Sequence, residues 1–387
     1  MESRPPARFG VAPGSRGRHT GTDGAWHDEG RHTVNAEREK TAAGRHERRI
    51  GVIDMLRGLA ASAVMLQHVA ESSGRAELWP LLEAAPGVFG VVLFFLISGF
   101  VIPLSLRGAP RWQDFALRRL LRIYPLTLFA FALLAGLMAL GLVPPGPGTD
   151  SGYVWLMNLL LLQDFVGVPG LLGVTWTLPI EFAWYGLFGL CVFTLGRRGL
   201  HLLALAFPLG LAALVVLSLL SGVRLPFGRI GMLYAAVVGM QVYRHAEGEI
   251  SRRDVVGSAA VFVLLMLIAN GVAFGHFTHP SIRLHHALVP WLLASLLFFL
   301  ALSGAATPQG RPARALLFLG RISFSLYLLH PIVMVLVHPY AEGYGFIIAV
   351  CGLTVPLAWL SFTYVETPGI ALGRALVRPR PAPAAGA

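Results

Sequence analysis

Between Ile53 and Val365 the chain is a succession of apolar runs of about 20 residues, separated by short polar breaks. Each run is long enough to cross a bilayer core of roughly 30 Å at about 1.5 Å of helix per residue. A chain of 387 residues that is 55% apolar and 13% charged carries about half the charge fraction, roughly 25%, of a soluble domain. So much apolar surface is tolerated in lipid, where every backbone polar group must be satisfied inside a helix or a closed barrel. The length of the runs selects helices. The expected fold is an all-α integral membrane protein, a bundle of about ten transmembrane helices with disordered termini. The expected spans are 52–70, 86–106, 122–143, 174–196, 201–221, 228–243, 255–275, 287–304, 315–336 and 346–366.

The stretch 152–166 is apolar but short, and Gln163 and Asp164 break it. Charge decides its role. If it does not cross, one side of the membrane holds 26 of the 31 basic residues and the other holds Arg75, Arg224, Arg229 and Arg283, with Arg57 inside the first helix. If it did cross, every later loop would change sides and this asymmetry would be lost. The positive-inside rule therefore makes 152–166 a re-entrant or interfacial segment on the outer side and places both termini in the cytoplasm. The net charge of +11 sits in these short breaks, so it reads as topology and no nucleic-acid partner is expected. The partner it implies is the lipid bilayer of the cell membrane.

Residues 1–48 are polar, without periodicity, and too poor in apolar residues to fold alone. No apolar segment follows the first charges, so they do not read as a signal peptide. The domains expected are a disordered cytoplasmic tail (1–48), a membrane domain (49–376) and a second disordered tail (377–387). The two cysteines, Cys191 and Cys351, fall within apolar runs and read as core thiols. No internal repeat is evident.

An ionisable residue at bilayer depth is costly and is a functional candidate for that reason. Arg57 and His68 are eleven residues apart, about 1,100° of helix, so they share a face and lie roughly 16–17 Å apart along it. Asp54, one turn before Arg57, can neutralise it. Glu181, in a helix running inward, and His330, in one running outward, come to the depth of His68. A histidine with a carboxylate partner is what general-base catalysis requires. A buried hydrogen-bonded network that specifies helix packing would place the same residue types there.

The loop FALRRLLRIYP (115–125) presents Arg118, Arg119 and Arg122 on the cytoplasmic side. Guanidinium groups match phosphate oxygens bidentately; lipid headgroups are the alternative partner. The outer histidines His276, His279, His285 and His286 have no acidic or cysteine partner in the sequence around them, so no metal site is expected.

These residues fall in motifs that occur in a fixed order: RGLAASAVMLQH (57–68), FFLISGF (94–100), RRLLRIYP (118–125), WTLPIEF (176–182), GRISFSLYLLHP (320–331) and TYVETP (363–368). In order and spacing the chain resembles membrane acyltransferase family 3, the OafA-type O-acyltransferases, across residues 52–368. The resemblance implies an enzyme that transfers an acyl group from acyl-CoA, such as acetyl-CoA, to a hydroxyl, with no bound cofactor. It makes His68 the essential histidine, Arg57 its paired arginine, and Glu181 the glutamate after the WTL motif. Arg119 and Arg122 match the cytoplasmic arginines, and Tyr327, His330, Ser98, Gly99 and Glu366 correspond more loosely; Arg118, Arg119, Arg122, Tyr327 and His330 are the expected substrate-binding residues. The chain ends about twenty residues after the last motif, so acceptor specificity is expected to lie in the membrane domain. Among compact members, the Arg-, Ala- and Gly-rich composition favours the macrolide O-acyltransferases over enzymes acylating surface carbohydrates. Outside this family, a secondary transporter would also place His, Glu and Arg within the membrane, although the inverted repeat expected of many transporters is not seen.

Overall fold

A computed structural model describes residues 49–106, 111–277, 283–303 and 309–377. The tails expected over 1–48 and from Arg378 onward lie outside these residues, as does His279. From Gly51 the chain forms one compact unit, and among the described residues all regular structure is helical. In chain order the helices are α1 (Arg49–Ser72), then α2 (Trp79–Glu83), α3 (Pro86–Leu104), α4 (Trp112–Ala139), α5 (Gly152–Leu159), α6 (Gln163–Val166) and α7 (Thr177–Leu195). They continue with α8 (Arg197–Ser221), α9 (Phe227–Ala246), α10 (Arg252–Asn270), α11 (Leu284–Leu302), α12 (Arg311–Arg321), α13 (Ser323–Val337), α14 (Gly343–Ser361) and α15 (Thr367–Leu376).

Among the described residues eight helical segments are long and apolar enough to cross a membrane, or nine if α12 and α13, bent by 77° at their junction, count as one span. The expected ten are thus reduced to eight or nine by that measure. The difference is α9, which is a full 20-residue helix but carries Arg229, Gln241 and Arg244. It is buried along most of its length, and a helix surrounded by protein has no need of a lipid-facing apolar surface. By contrast α8 exposes Leu205, Leu209 and Leu220, the apolar face that lipid would cover.

Two further departures bear on the site. The arginine stretch expected as a loop before residue 122 is helical, because α4 begins at Trp112. Leu and Arg are strong helix formers, and no Gly or Pro interrupts the segment before Pro125. The span expected over 315–336 is broken at Ile322.

The segment 152–166 folds as α5 and α6, of eight and four residues, joined through Leu161 at φ 54°. An eight-residue helix is about 12 Å long and does not cross a bilayer. Side chains satisfy its irregular backbone. Asn158 donates to the carbonyls of Val154 and Pro169 and accepts from the Leu171 N–H, each at 2.9 Å. Arg229 donates to Asp164 through Nε (2.6 Å) and Nη2 (2.5 Å), tying α6 to α9.

Close helix approach depends on glycine. A Cβ at Gly99 of α3 would lie 1.8 Å from the Ala236 carbonyl oxygen, and one at Gly239 of α9 would lie 2.0 Å from that of Leu96. The two backbones therefore touch, as small residues allow in membrane bundles. Gly99 serves this packing.

Candidate active site

The start of α4, the end of α3 and the start of α1 lie at one end of the bundle, the arginine-rich end. There α4 fixes three guanidinium groups on a rigid helix. Arg119 lies over the rings of Phe115 and Tyr185, at 5.8 and 5.5 Å from their centroids. Arg122 Nη1 is 2.7 Å from Glu366 Oε1, and the Glu366 side chain is fully buried. The other carboxylate oxygen of Glu366 accepts from Ser325 Oγ at 3.0 Å. Glu366 closes a π-helical turn, Phe362–Glu366, and the wider turn shifts the register of the residues that follow it.

Arg118, Arg119 and Arg122 wall a cavity of about 420 Å³ that also takes in Arg57, Ser98, Glu181, Tyr185, Tyr327 and Arg374. Along α3 its lining runs from Val91 to Ser105, about 21 Å of helix. The arginines stand at one end, and Phe94 and Tyr327 stand toward the other. Arg118 Nε, Arg119 Nε, Ser98 Oγ and Ser323 Oγ are buried with no hydrogen-bond partner among the described residues. Arg374, which in the sequence read as one more topology arginine, is a cavity residue, and no signal along the chain distinguished it.

His68 and His330 are not part of that lining. They meet each other, His68 Nδ1 to His330 Nε2 at 2.9 Å, with their rings stacked at 5.2 Å. His330 Nδ1 lies 3.1 Å from the Leu326 carbonyl oxygen. A carbonyl only accepts, so this nitrogen carries the proton of a neutral ring, and Nε2 is left to accept from His68 Nδ1–H. The chain of bonds therefore leaves the lone pair of His68 on Nε2. His330 is fully buried while His68 is half-buried. Tyr327, which lines the cavity, stands edge-on to His330 at 6.4 Å, with its hydroxyl held by Thr177 Oγ1 (2.9 Å) and the Val174 carbonyl (2.8 Å).

The expected pairing of His68 with Glu181 is replaced by this histidine pair. Thr177 is level with Tyr327 through their hydroxyl contact. Glu181 lies one turn, about 6 Å, nearer the arginines, and His330 lies about 4.5 Å beyond Tyr327 in the opposite direction. Glu181 accepts instead from the Tyr185 hydroxyl. His330, expected among substrate-binding residues, is enclosed by His68 and the Leu326 carbonyl. Arg57 and His68 share α1 as expected, but Arg57 opens into the cavity and His68 lies beyond it.

The outer histidines differ from expectation in one respect. His285 and His286 do have an acidic partner, Glu83, from a segment 202 and 203 residues away.

Fold and site thus define a polytopic membrane protein with a long cavity, basic at one end, inside its helix bundle. Residues 50–363 match the family profile described as an acyltransferase domain, acyltransferase 3. The chain belongs to that family, and its long apolar helices make it a multi-pass membrane protein. It is similar to the acyltransferase MdmB of Streptomyces mycarofaciens, at 37% identity over 142 residues, 34% of this chain and 36% of that protein. It is also similar to nodulation protein 10 of Rhizobium leguminosarum bv. viciae, at 28% identity over 158 residues, 34% of this chain and 41% of that protein. The matched segments span less than half the length of either relative. No solved structure matches.

Proposed function

We propose that the protein is an O-acyltransferase that moves an acetyl or other short acyl group from acyl-CoA to a hydroxyl of a macrolide. The observation that carries the donor assignment is the cavity, in which five arginines face one glutamate and two guanidinium Nε atoms are buried without a partner among the described residues. Coenzyme A is a long polyanion with its phosphates at one end and its thioester at the other. Arg118, Arg119 and Arg374 hold the phosphates, while Arg122 stands beside them with its charge balanced by Glu366. The pantetheine arm follows α3 past Arg57 and brings the thioester to the Tyr327 end. The arginine-rich end then faces the cytoplasm, where acyl-CoA is made, and both termini are cytoplasmic, in the cell membrane.

At the far end His68 acts as general base. A hydroxyl is a weak nucleophile at neutral pH, and an imidazole is the side chain suited to taking its proton. The acceptor oxygen attacks the thioester carbonyl carbon as its proton passes to His68 Nε2. The tetrahedral intermediate collapses, the C–S bond breaks, and the leaving thiolate takes the proton from the imidazolium. His330 keeps the His68 proton on Nδ1, the role first expected of Glu181. Glu181 instead shares the cavity with Arg57 and balances part of its charge. The macrolide acceptor is supported by the overall likeness to the macrolide O-acyltransferases and by the match with a Streptomyces acyltransferase.

The test is transfer by the purified protein from labelled acetyl-CoA to a panel of macrolides and surface carbohydrates. Labelled macrolide is the expected product, and Arg119→Ala raises the KM for acetyl-CoA roughly ten- to hundredfold, the equivalent of about 1.5–3 kcal/mol for a charge-assisted contact. Label on carbohydrate would replace the acceptor. The absence of acyl-CoA-dependent transfer to any acceptor would overturn the donor reading and favour a transporter.

A further inference from the structure

We infer that Glu83, His285 and His286 form a divalent-metal site of the zinc type at the end of the bundle opposite the arginines. Glu83 ends α2, immediately before α3, and the two histidines lie in the first turn of α11. None of the three lines the cavity, so the site is separate from the proposed acyl-transfer centre. Its donor set, two imidazoles and a carboxylate, is one that zinc takes with water in the fourth position.

The geometry is the argument. Consecutive residues of a helix point about 100° apart, so neighbouring histidines ordinarily diverge. Here both rings turn toward one point: His285 Nε2 and His286 Nε2 each lie 2.7 Å from the same oxygen, Oε2 of Glu83. The ring centroids are 4.2 Å apart at 68°, and one ligand atom from each of the three residues lies within 4.8 Å of the others. Ligand bonds of about 2.0–2.2 Å in a tetrahedron separate the donor atoms by about 3.3 Å. Each nitrogen–oxygen pair, now at 2.7 Å, needs to open by only about 0.6 Å to admit an ion. His285 is 47% and Glu83 31% exposed, and the His286 side chain 20%, so the ion enters from solvent without moving a helix. Binding at His286 Nε2 moves that ring's proton to Nδ1 and gives up a 3.3 Å contact from the Arg283 backbone N–H, which water can satisfy at a helix start. An ion there joins the α2–α3 corner to α11 at the outer face.

The rival explanation is a carboxylate that merely accepts two imidazole N–H bonds. Glu83→Gln separates the two, because an amide oxygen still accepts both bonds but is a far poorer zinc ligand. The untagged full-length protein, purified in detergent and stripped with EDTA, is titrated with Zn²⁺ and its bound metal counted. Wild type binds one equivalent with a dissociation constant of about 1 μM or tighter and unfolds at a higher temperature with Zn²⁺ present. Glu83→Gln binds at least about tenfold more weakly, and the double variant His285→Ala, His286→Ala loses both the binding and the thermal shift. If the double variant does not fold, Glu83→Gln with the single change His285→Gln decides the matter. Absence of binding by wild type, or equal binding by wild type and variants, would overturn the site.

Discussion

The buried pair between Arg122 and Glu366 sets up a test in which stability and donor binding move in opposite directions. Glu366→Gln removes the carboxylate charge while keeping an acceptor for Ser325. Removing one member of a buried ion pair costs about 3–5 kcal/mol. Two features reduce this: the amide retains the Ser325 bond, and the Arg122 side chain is 23% exposed, so its guanidinium can draw water from the cavity. A loss of about 2 kcal/mol is expected, which in a folded unit this large lowers Tm by roughly 3 °C. The freed guanidinium then adds positive charge to the cavity. At an effective dielectric near 20 this contributes on the order of 1 kcal/mol to phosphate binding, a fall of about fivefold in the KM for acetyl-CoA. Tm is read from tryptophan fluorescence on heating in detergent, and KM from steady-state transfer at saturating acceptor. A Tm within 1 °C of wild type together with an unchanged KM would refute the reasoning, because it would mean that Glu366 holds no charge against Arg122.

Three further outcomes are expected. His68→Ala lowers kcat by about 10²–10⁴-fold and leaves acetyl-CoA binding intact by equilibrium titration. His330→Ala, which removes only the group that places the proton, lowers kcat about tenfold or more with the donor KM unchanged. If His330→Ala raised KM alone, His330 would be a wall of the site and not a positioning residue. On a background in which Cys351 is Ser, a cysteine at exposed Asp150 is labelled by an impermeant reagent on intact cells. One at exposed Arg198 is labelled only after permeabilisation, and external labelling of Arg198→Cys would reverse the proposed orientation. Gly199 is unsuitable for this purpose, because a Cβ there would sit 2.1 Å from the Cys191 carbonyl oxygen.

The succession of long apolar segments, the broken segment at 152–166 and the separation of arginine-rich breaks from arginine-poor ones could all be read along the chain. Run length and composition act over 20 residues at a time, and the bilayer imposes them on each segment separately. The candidate residues could be read for the same reason: charge at bilayer depth is costly wherever it occurs, so Arg57, His68, Glu181 and His330 stood out one by one. Depth along each helix was legible only as far as its ends were. Placing the start of the fourth span at 174 rather than Thr177, and missing the break at Ile322, set Glu181 beside His68 when it lies with the arginines.

Lateral partnership was decided by the tertiary structure. His68 and His330 are 262 residues apart, and no pattern along the chain says which faces of α1 and α13 oppose each other. The same holds for Glu366, which reaches Arg122 from a π-helical turn, and for Glu83, which meets a histidine pair 202 residues later. The close approach of α3 and α9 at Gly99 and Gly239 is a contact of that kind as well. In a membrane the cost of a polar group is set by depth, which sequence records. Its relief depends on the one neighbouring helix that presents a partner at that depth, and only the packed bundle chooses that helix.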